Sequence, residues 1–414
     1  MKSLHFSPAG PKDQPALLIQ HLPGRETVAA GVWVTRGSAH ETQDLAGATH
    51  LVEHLSLRRC GGRDRRALAA LMDRIGGDVD AWTGTEMMGV SLTTTADSLG
   101  DGLELLVDAI AAPSFESEDV ELERRVILAE LELIYDDPGE LVEEALLRAA
   151  WGGHPLARPV IGSAESVEAI DIAALRSHHA GLIQSGRLVV ALAGDVGGNG
   201  ALACLERLDL STVPARPHLA ALEWSTGRET VTRSWADQVH TRLAFEAIGS
   251  GDSRLVELMV LNRILGNGSS SRLFQRLREE EGLTYDIWSG LALRRPGGLL
   301  EIGWACAPEV NHKVWELVLE EVKRLPLDLN IDEVEISQEG LLRGLLMDSD
   351  LPMARCAMDV AEVLERGRRF DLGTVRAELE AVTIDGVREL AESILRPDRM
   401  AAALCGPEGA ELPG

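Results

Sequence analysis

The sequence predicts an α+β protein of two homologous domains, each a mostly antiparallel sheet flanked by helices. Strands and helices follow one another in the same order in the two halves, and each half ends on a similar apolar strand. Between the halves, Pro214 and Pro217 lie in a stretch of mixed polar residues that is typical of a linker. We therefore expect a first domain at 1–212, a linker at 213–226 and a second domain at 227–414.

The individual elements follow from the spacing of apolar residues, which alternate along strands and recur every three or four residues along helices. The predicted strands cover 15–21, 27–36, 78–83, 87–95, 187–194, 239–247, 284–292, 298–306 and 400–406. The predicted helices cover the residues around His50, 64–75, 97–112, the stretch after Ser117, 139–150, 166–181, 200–210, 252–265, 269–280, 309–323, 331–348, 352–366 and 384–394.

The composition is that of a folded protein with a strongly acidic surface. Hydrophobic residues make up 45% of the chain and charged residues 26%. The formal net charge of −26 argues against a nucleic-acid or anionic-membrane partner, because both require a basic surface. No stretch approaches the roughly 18 to 20 consecutive apolar residues that a membrane span needs.

The cysteines point to a reducing compartment. They are odd in number, far apart in the sequence and form no C-x-x-C pair, which argues against a disulfide framework and a cysteine-bound metal. The segment from Met1 to His5 lacks a long apolar run, so we expect no signal peptide. The sequence therefore predicts a cytoplasmic protein.

The stretch that carries chemistry is His50-Leu51-Val52-Glu53-His54. His50, Glu53 and His54 share one helix face, because an α-helix repeats every 3.6 residues. Two imidazoles at this spacing can bind one metal ion, and the glutamate can take a proton from water bound to that ion. The order H-x-x-E-H is a zinc-peptidase signature. Five residues are a weak signal, so an amphipathic helix with two unrelated histidines is the alternative.

A second signal lies on the helix after Ser117. Residues at spacings of three and four form the stripe that a helix turns toward the core: Val120, Glu123, Ile127, Glu130 and Ile134. Two of them are acids, and a buried ionised carboxylate is costly unless it meets a cation or hydrogen-bond donors. The alternative is a buried face rotated toward Leu122, Val126 and Leu133, which leaves both acids at its boundary.

With these residues in view, the chain resembles the pitrilysin/insulinase family of zinc peptidases over nearly its whole length. The resemblance is to the short two-domain bacterial members related to the mitochondrial processing peptidase. In that family a Gly-Ser-x-x-Glu segment and a glycine precede the zinc motif, and here these are Gly37-Ser38-Ala39-His40-Glu41 and Gly47.

The resemblance also implies a set of metal ligands. The family's third ligand is a glutamate some 76 residues past the second histidine, and Glu130 stands 76 residues past His54. A further family glutamate, seven residues earlier, falls on Glu123. By this resemblance His50, His54 and Glu130 bind one Zn²⁺ per chain, Glu123 supports the site, and Glu53 is the catalytic base.

The second half carries another family marker, in Ser270-Ser271-Arg272-Leu273-Phe274, Leu277-Arg278-Glu279 and Gly282-Leu283-Thr284-Tyr285. In the family an arginine and a tyrosine seven residues apart line a chamber opposite the zinc and hold the substrate backbone. The resemblance gives these roles to Arg278 and Tyr285. The residues alone suggest a surface helix position for Arg278 and a sheet-packed strand position for Tyr285.

One position departs from the family. The strand after the Gly-Gly turn usually reads Asn-Ala and pairs with extended substrate, which implies that Ala81 and Trp82 contact substrate here. Asp80 stands in place of the asparagine. The aspartate removes an amide donor and adds a charge, so we expect altered local substrate contacts.

The resemblance implies a zinc endopeptidase that cleaves extended peptides or unfolded polypeptides inside a dimeric chamber. The chain is expected to form a homodimer, or a heterodimer with a similar chain. General degradation and processing of a precursor or leader peptide are both open. The alternative is a non-catalytic structural or substrate-presenting subunit of a heterodimeric peptidase.

Overall fold

The computed structural model describes residues 16–196, 202–212, 214–215 and 217–414. The first sheet contains β1 (Leu17–His21), β2 (Thr27–Val34), β3 (Asp78–Thr83), β4 (Met88–Thr95) and β5 (Leu188–Gly194), in the order β1-β5-β2-β4-β3. The second contains β6 (Arg228–Thr232), β7 (Val239–Ala247), β8 (Asp286–Arg294), β9 (Gly297–Cys306) and β10 (Ala401–Gly406), in the order β6-β10-β7-β9-β8.

The two sheets share one topology. In each, the first-listed pair is parallel and the other three pairs are antiparallel. The predicted fold class, two homologous α+β domains with mostly antiparallel sheets, is therefore confirmed.

The helices of the described residues lie mainly between these strands. In the first half they are α1 (Ala48–Ser56), α2 (Arg65–Ile75), α3 (Leu99–Ala111), α4 (Ser117–Tyr135), α5 (Pro138–Trp151), α6 (Ala164–Ala169) and α7 (Ile172–Leu182). In the second half they are α8 (Leu255–Leu265), α9 (Asn311–Asp328), α10 (Ile331–Asp348), α11 (Pro352–Arg366), α12 (Leu372–Glu380) and α13 (Ile384–Ile394). None of the helices in the described ranges is both long enough and apolar enough to cross a bilayer.

Both faces of the first sheet are covered, which explains why its inner strands β5 and β2 are almost entirely apolar. Ala29 and Trp33 of β2 pack with Cys356 of α11 in one buried cluster. Side chains alternate between the faces of a sheet, so Ala30 and its cross-strand partner Leu92 face the other way. There α3 packs against β2 and β4.

Each sheet is covered on one face by a helix from the other half of the sequence. The chain forms two compact units, whose described residues belong to 1–131, 159–219 and 346–370 in the first and to 132–158, 220–345 and 371–414 in the second. Thus α11 packs on β5, β2 and β1, whereas α5 packs on β10, β7 and β6. The expected division at 1–212, 213–226 and 227–414 remains a prediction about the homologous repeats, because the packing units are discontinuous.

A buried carboxylate holds α11 to the first unit. Asp359 is only 1% exposed and accepts hydrogen bonds from Arg369 Nε at 2.8 and 2.9 Å and from the Phe370 amide at 2.9 Å. Arg369 also donates to the backbone carbonyl of Ile19 on β1, at 3.2 Å. This network ties the end of α11 to the edge of the sheet.

In the second unit, Arg242 on β7 has the corresponding role of holding a helix, α5, to the sheet. Its guanidinium lies 3.0 Å from Glu143 of α5 and 3.0 Å from Glu301 of β9, and it covers the Trp288 ring at 5.0 Å. Burial raises the pKa of Glu301, and the positive charge of Arg242 opposes that rise. The arginine therefore stabilises a carboxylate inside the sheet while it holds α5.

Some elements differ from the expectations. The helix predicted at 166–181 is divided into α6 and α7 because Asp171 caps a new helix, its side chain accepting the Ala174 amide at 2.7 Å. The described part of the helix predicted at 200–210 is a 3-10 turn, Ala203–Arg207. Part of the predicted helix at 269–280 is π-helical, Phe274–Glu280. Residues 1–15, 197–201, 213 and 216, and with them the signal-peptide prediction, lie outside the described residues.

Replacing Asp359 by alanine is expected to lower the free energy of unfolding by about 3 kcal/mol, because Arg369 loses its buried partner. Urea denaturation followed by tryptophan fluorescence measures this change. The matched control is Arg25→Ala, which breaks an exposed pair with Asp350 at 2.9 Å and should cost less than about 1 kcal/mol. Equal losses in the two variants would contradict the proposed anchoring of α11.

Candidate metal centre

The entry to α1 is fixed by a glycine and a buried carboxylate. Gly47 has φ of 92°, a left-handed conformation that glycine adopts without strain, and a Cβ there would lie 2.5 Å from the Ile161 carbonyl oxygen. Glu41 accepts hydrogen bonds from the amides of Gly47 at 2.9 Å and Thr49 at 2.6 Å. A carboxylate here suits the positive end of the helix. The Gly-Ser-x-x-Glu segment thus positions the motif helix.

The rest of α1 is oriented by its apolar side. Leu51, Val52 and Leu55 are fully buried, at 0% to 1% exposure. The face that carries His50, Glu53 and His54 is only half-buried. The helix therefore presents these side chains at the margin of the core, where a ligand can approach them.

Three ligand atoms converge from α1 and α4. His50 Nε2 lies 3.3 Å from His54 Nε2, and Glu130 Oε2 lies 3.5 Å from His54 Nε2 and 3.9 Å from His50 Nε2. A tetrahedral zinc ion with bonds of about 2.0–2.1 Å separates its ligand atoms by about 3.4 Å. Two nitrogens and one oxygen at these distances therefore fit Zn²⁺ and leave its fourth position open.

This donor set stands alone in the residues that the structure describes. No other group of three or more histidine, cysteine, aspartate or glutamate side chains is found there in metal-binding proximity. The stripe of acids on α4 is thus partly explained by the neighbouring imidazoles.

Glu123 orients one of the imidazoles. Its Oε2 lies 3.0 Å from His54 Nδ1, and its Oε1 accepts from Arg58. An ionised carboxylate can only accept, so the ring proton sits on Nδ1 and the Nε2 lone pair points to the convergence of ligands. Arg58 also donates to Asp119 at 2.9 Å, so it serves two buried acids.

The burial of α4 decides which of its faces turns inward. Val120 and Ile127 are fully buried and Glu123 is 7% exposed, whereas Leu133 is 72% exposed. The alternative rotation toward Leu122, Val126 and Leu133 is therefore wrong. Glu123 and Glu130 can lie on the inward face because His54 and Arg58 provide partners for their carboxylates there.

Burial also sets the protonation of the motif. It lowers the pKa of His50 to about 4, with a further contribution from His54, so the ring is neutral at neutral pH and one of its nitrogens keeps a lone pair for a metal. Burial raises the pKa of Glu53, and the negative charges of Asp80 and Glu130 add to the rise. A more basic carboxylate at this position is better suited to accept a proton from water.

The strand expected to contact substrate is at an edge of the first sheet. β3 pairs with β4 and has no other strand partner in the described part of the chain. It packs against α1, and Ala81 and Trp82 are half-buried. An edge with free backbone groups beside the motif helix can accept an added strand.

Arg278 and Tyr285 form a pair in the second unit. The Arg278 guanidinium lies between two rings, 4.6 Å from the centre of Phe274 and 4.5 Å from that of Tyr285. Tyr285 is 82% exposed, so its expected packing on the sheet is wrong, and Arg278 is held between two rings instead of standing alone on the surface. Their position opposite the metal ligands stays a prediction.

Sequence reasoning missed three residues. Glu41 was named only as the last residue of the Gly-Ser-x-x-Glu segment, and its role as the buried carboxylate that caps α1 was not predicted. Arg58 follows the end of α1, where helical spacing no longer predicts neighbours. Phe274 was only part of a marker, although it stands four residues before Arg278, a spacing at which side chains meet on one helix face, and its ring stacks on that arginine.

Comparison with known proteins places these features in a family. Residues 16–164 match insulinase (peptidase family M16), and residues 169–341 match the peptidase M16 inactive domain. An uncharacterized zinc protease of Mycobacterium tuberculosis is 32% identical, over 95% of this chain and 92% of that protein. Subunit beta of the mitochondrial-processing peptidase of Caenorhabditis elegans is 24% identical, over 92% of this chain and 86% of that protein.

A solved structure shows the same fold. The crystal structure of a peptidase M16 inactive domain from Pseudomonas fluorescens superimposes with a TM-score of 0.85 at 22% identity, over 97% of this chain and 98% of that one. At this identity the likeness concerns the fold alone.

Glu123→Gln is expected to weaken Zn²⁺ binding by about 10- to 100-fold, because the charge that orients the His54 ring is lost. Competition against a chromophoric chelator measures the affinity. Glu121→Gln, an exposed position of the same helix that pairs with Arg124 at 3.4 Å, is the control and should bind like the unmodified chain. An unchanged affinity in Glu123→Gln would remove the supporting role of this residue.

Proposed function

Because this chain belongs to the insulinase family (peptidase family M16), we propose that it is a zinc-dependent endopeptidase acting on peptides or unfolded polypeptides. The observation that carries this proposal is the convergence of His50, His54 and Glu130, with Glu53 on the same face of α1. A zinc-protease name on the mycobacterial relative supports it.

Each residue of the site has a distinct role in the proposed reaction. A zinc ion held by His50, His54 and Glu130, one per chain, supplies a Lewis acid that lowers the pKa of its water toward 7. Glu53 accepts the proton of the attacking water and returns it to the leaving amine. Glu123 holds the His54 ring in position throughout.

The edge strand supplies the substrate track in this proposal. An extended peptide adds to β3, and its backbone pairs with the free groups beside Ala81 and Trp82. Because β3 packs on α1, a bond held along this edge comes close to Glu53. Asp80, whose charge reaches Glu53, makes this part of the track more acidic than an asparagine would.

Arg278 and Tyr285 are proposed to hold a carbonyl of the substrate backbone. Both side chains can donate hydrogen bonds. Arg278 is already held between the rings of Phe274 and Tyr285, so it loses less conformational entropy when it binds substrate. Phe274 is therefore a positioning residue. Donors of this kind also stabilise negative charge that develops on the carbonyl oxygen.

The proposed assembly is a dimer that encloses the substrate. One chain carries both the metal ligands and the Arg278/Tyr285 pair, so a homodimer is sufficient, and a heterodimer with a similar chain is the other form. The nematode relative is named as a subunit, which supports association. None of the five cysteines, which all lie in the described part of the chain, is in a disulfide, and this supports a cytoplasmic location. Degradation and leader processing fit equally.

A second candidate is a non-catalytic structural or substrate-presenting subunit. The observation that favours it is the match of residues 169–341 to a domain named inactive. That match excludes the motif and Glu130, which lie within 16–164. The peptidase proposal therefore takes precedence, and measured zinc content and cleavage of unstructured peptides separate the two.

Glu53→Gln is expected to keep one bound zinc per chain and to lose about 10²- to 10⁴-fold in turnover, because the amide cannot accept the proton of water. Elemental analysis and a mass-spectrometric cleavage map of a peptide mixture measure both. Glu121→Gln should retain both zinc and turnover. Full activity in Glu53→Gln would exclude Glu53 as the base, and a zinc-free, inert unmodified chain would favour the non-catalytic candidate.

Tyr285→Phe is expected to lower kcat/KM for peptides by about tenfold or more while zinc content is unchanged, because only the hydroxyl donor is removed. The ring that stacks on Arg278 remains. Tyr135→Phe changes the other of the two tyrosines of the chain and should leave kcat/KM as it was. Equal kinetics in the two variants would rule out a role for the Tyr285 hydroxyl.

A further inference from the structure

An open cavity of about 760 Å³ adjoins the metal-binding residues of the first unit. His54 and Glu123 form part of its wall. The volume is in the range of ligand-binding sites. A roughly spherical space of this volume is about 11 Å across, which an extended peptide crosses in about three residues.

The cavity wall is rich in arginine. Arg58, Arg59, Arg65 and Arg66 line it together with two carboxylates, Asp64 and Glu123. The first two arginines are already paired with two buried acids, because Arg58 Nε and Arg59 Nε each lie 2.9 Å from Asp119 and Arg58 also donates to Glu123. They form a fixed part of the wall.

The other two arginines are unpaired. Arg65 and Arg66 are the first residues of α2 and are exposed, and neither side chain has an ion pair or hydrogen bond within the part of the chain that the structure describes. Asp64 is engaged as the helix cap, accepting the Ala67 amide at 2.8 Å. Two arginines at the positive end of a helix add to its dipole instead of compensating it.

Arg65 and Arg66 place two positive charges side by side in a chain whose formal net charge is −26. Exposed charges are screened over about 8 Å at physiological ionic strength, so the two arginines act within the cavity and not at long range. A negative side chain that enters meets these two cations, while Asp64 in the same wall is engaged with the Ala67 amide. The cavity shares His54 with the proposed metal ligands, so a side chain held in it lies close to the bond that would be cleaved.

We propose that this cavity receives an acidic side chain of the peptide substrate, and that Arg65 and Arg66 select substrates with Asp or Glu within about three residues of the cleaved bond. The inference rests on the proposed peptidase function. It adds a substrate class that the metal ligands alone do not define.

The test uses unstructured peptides of one sequence that differ only in Glu or Gln at positions up to three residues on either side of the cleaved bond. The measured quantity is the ratio of kcat/KM for the Glu peptide to that for its Gln partner. We expect a ratio of about five to ten at the preferred position, since two partly exposed ion pairs each contribute modestly. The ratio should fall when ionic strength is raised from about 0.05 M to about 0.5 M.

The variant R65Q/R66Q should bring this ratio close to one. The control is R74Q, which changes an exposed arginine of the same helix that does not line the cavity and should keep the ratio. A ratio near one in the unmodified chain, or an undiminished ratio in R65Q/R66Q, overturns the inference.

A binding arm separates this inference from the peptidase proposal. Zinc-loaded Glu53→Gln binds the same peptides without turnover, and fluorescence anisotropy gives the ratio of their Kd values. Selective binding of the Glu peptides, with no cleavage of any peptide by the unmodified chain, supports the arginine site and rejects the peptidase. Cleavage of both peptides with equal kcat/KM and equal Kd keeps the peptidase and rejects the arginine site. Absence of any selective binding also rejects the arginine site.

Discussion

The geometry of the candidate metal site depends on the hydrogen bond between His54 Nδ1 and Glu123, at 3.0 Å. This contact joins α1 to α4, which carry the candidate ligands but lie far apart in the sequence. It fixes the tautomer of His54, the rotation of α4 and, two turns further along α4, the position of Glu130. A hydrogen bond to a charged group is worth roughly 1.5–3 kcal/mol, and here its geometric consequences matter more than its strength.

The same contact is stable only because of the charges around it. Glu123 and Asp119 are both nearly buried, and a buried carboxylate without partners is strongly unfavourable. Arg58 meets both acids, and Arg59 meets Asp119. These two arginines therefore serve first to make the acidic face of α4 compatible with burial. A short connection leads from Arg59 to α2, which begins with Arg65 and Arg66, the two cavity arginines that have no ion pair among the described residues.

Local periodicity predicts the parts of this structure that depend on neighbouring residues. The helical repeat places His50, Glu53 and His54 on one face, and α1 runs from Ala48 to Ser56 with that face half-buried. Alternation of apolar residues predicts β7 and β9 within one residue of their ends. It misses β6, because this edge strand alternates exposed with half-buried residues and has no apolar face to mark it.

Contacts between distant segments are beyond such rules. The hydrogen bond between His54 and Glu123 and the exchange of α5 and α11 between the sheets are both tertiary. Glu130 was assigned by family resemblance and not by spacing, because no local rule relates residues 76 positions apart. Residues of this kind become predictable only when a template supplies the missing distances.

The charges around the motif also bear on the orientation in which the proposed site would bind an acidic peptide. The negative charge of Asp80 on β3 acts on Glu53, whereas the arginines belong to the cavity that His54 lines. In the proposed peptide complex, an acidic side chain is repelled by Asp80 at β3 and attracted by Arg65 and Arg66 at the cavity, so the two orientations of a peptide with one such side chain differ in energy. A neutral peptide lacks this difference and must be oriented by backbone pairing alone. Asparagine at position 80 would remove the repulsion at β3 and leave the attraction at the cavity. Asp80, the expected departure from the family, and the arginines of α2 would therefore favour the same orientation of the peptide.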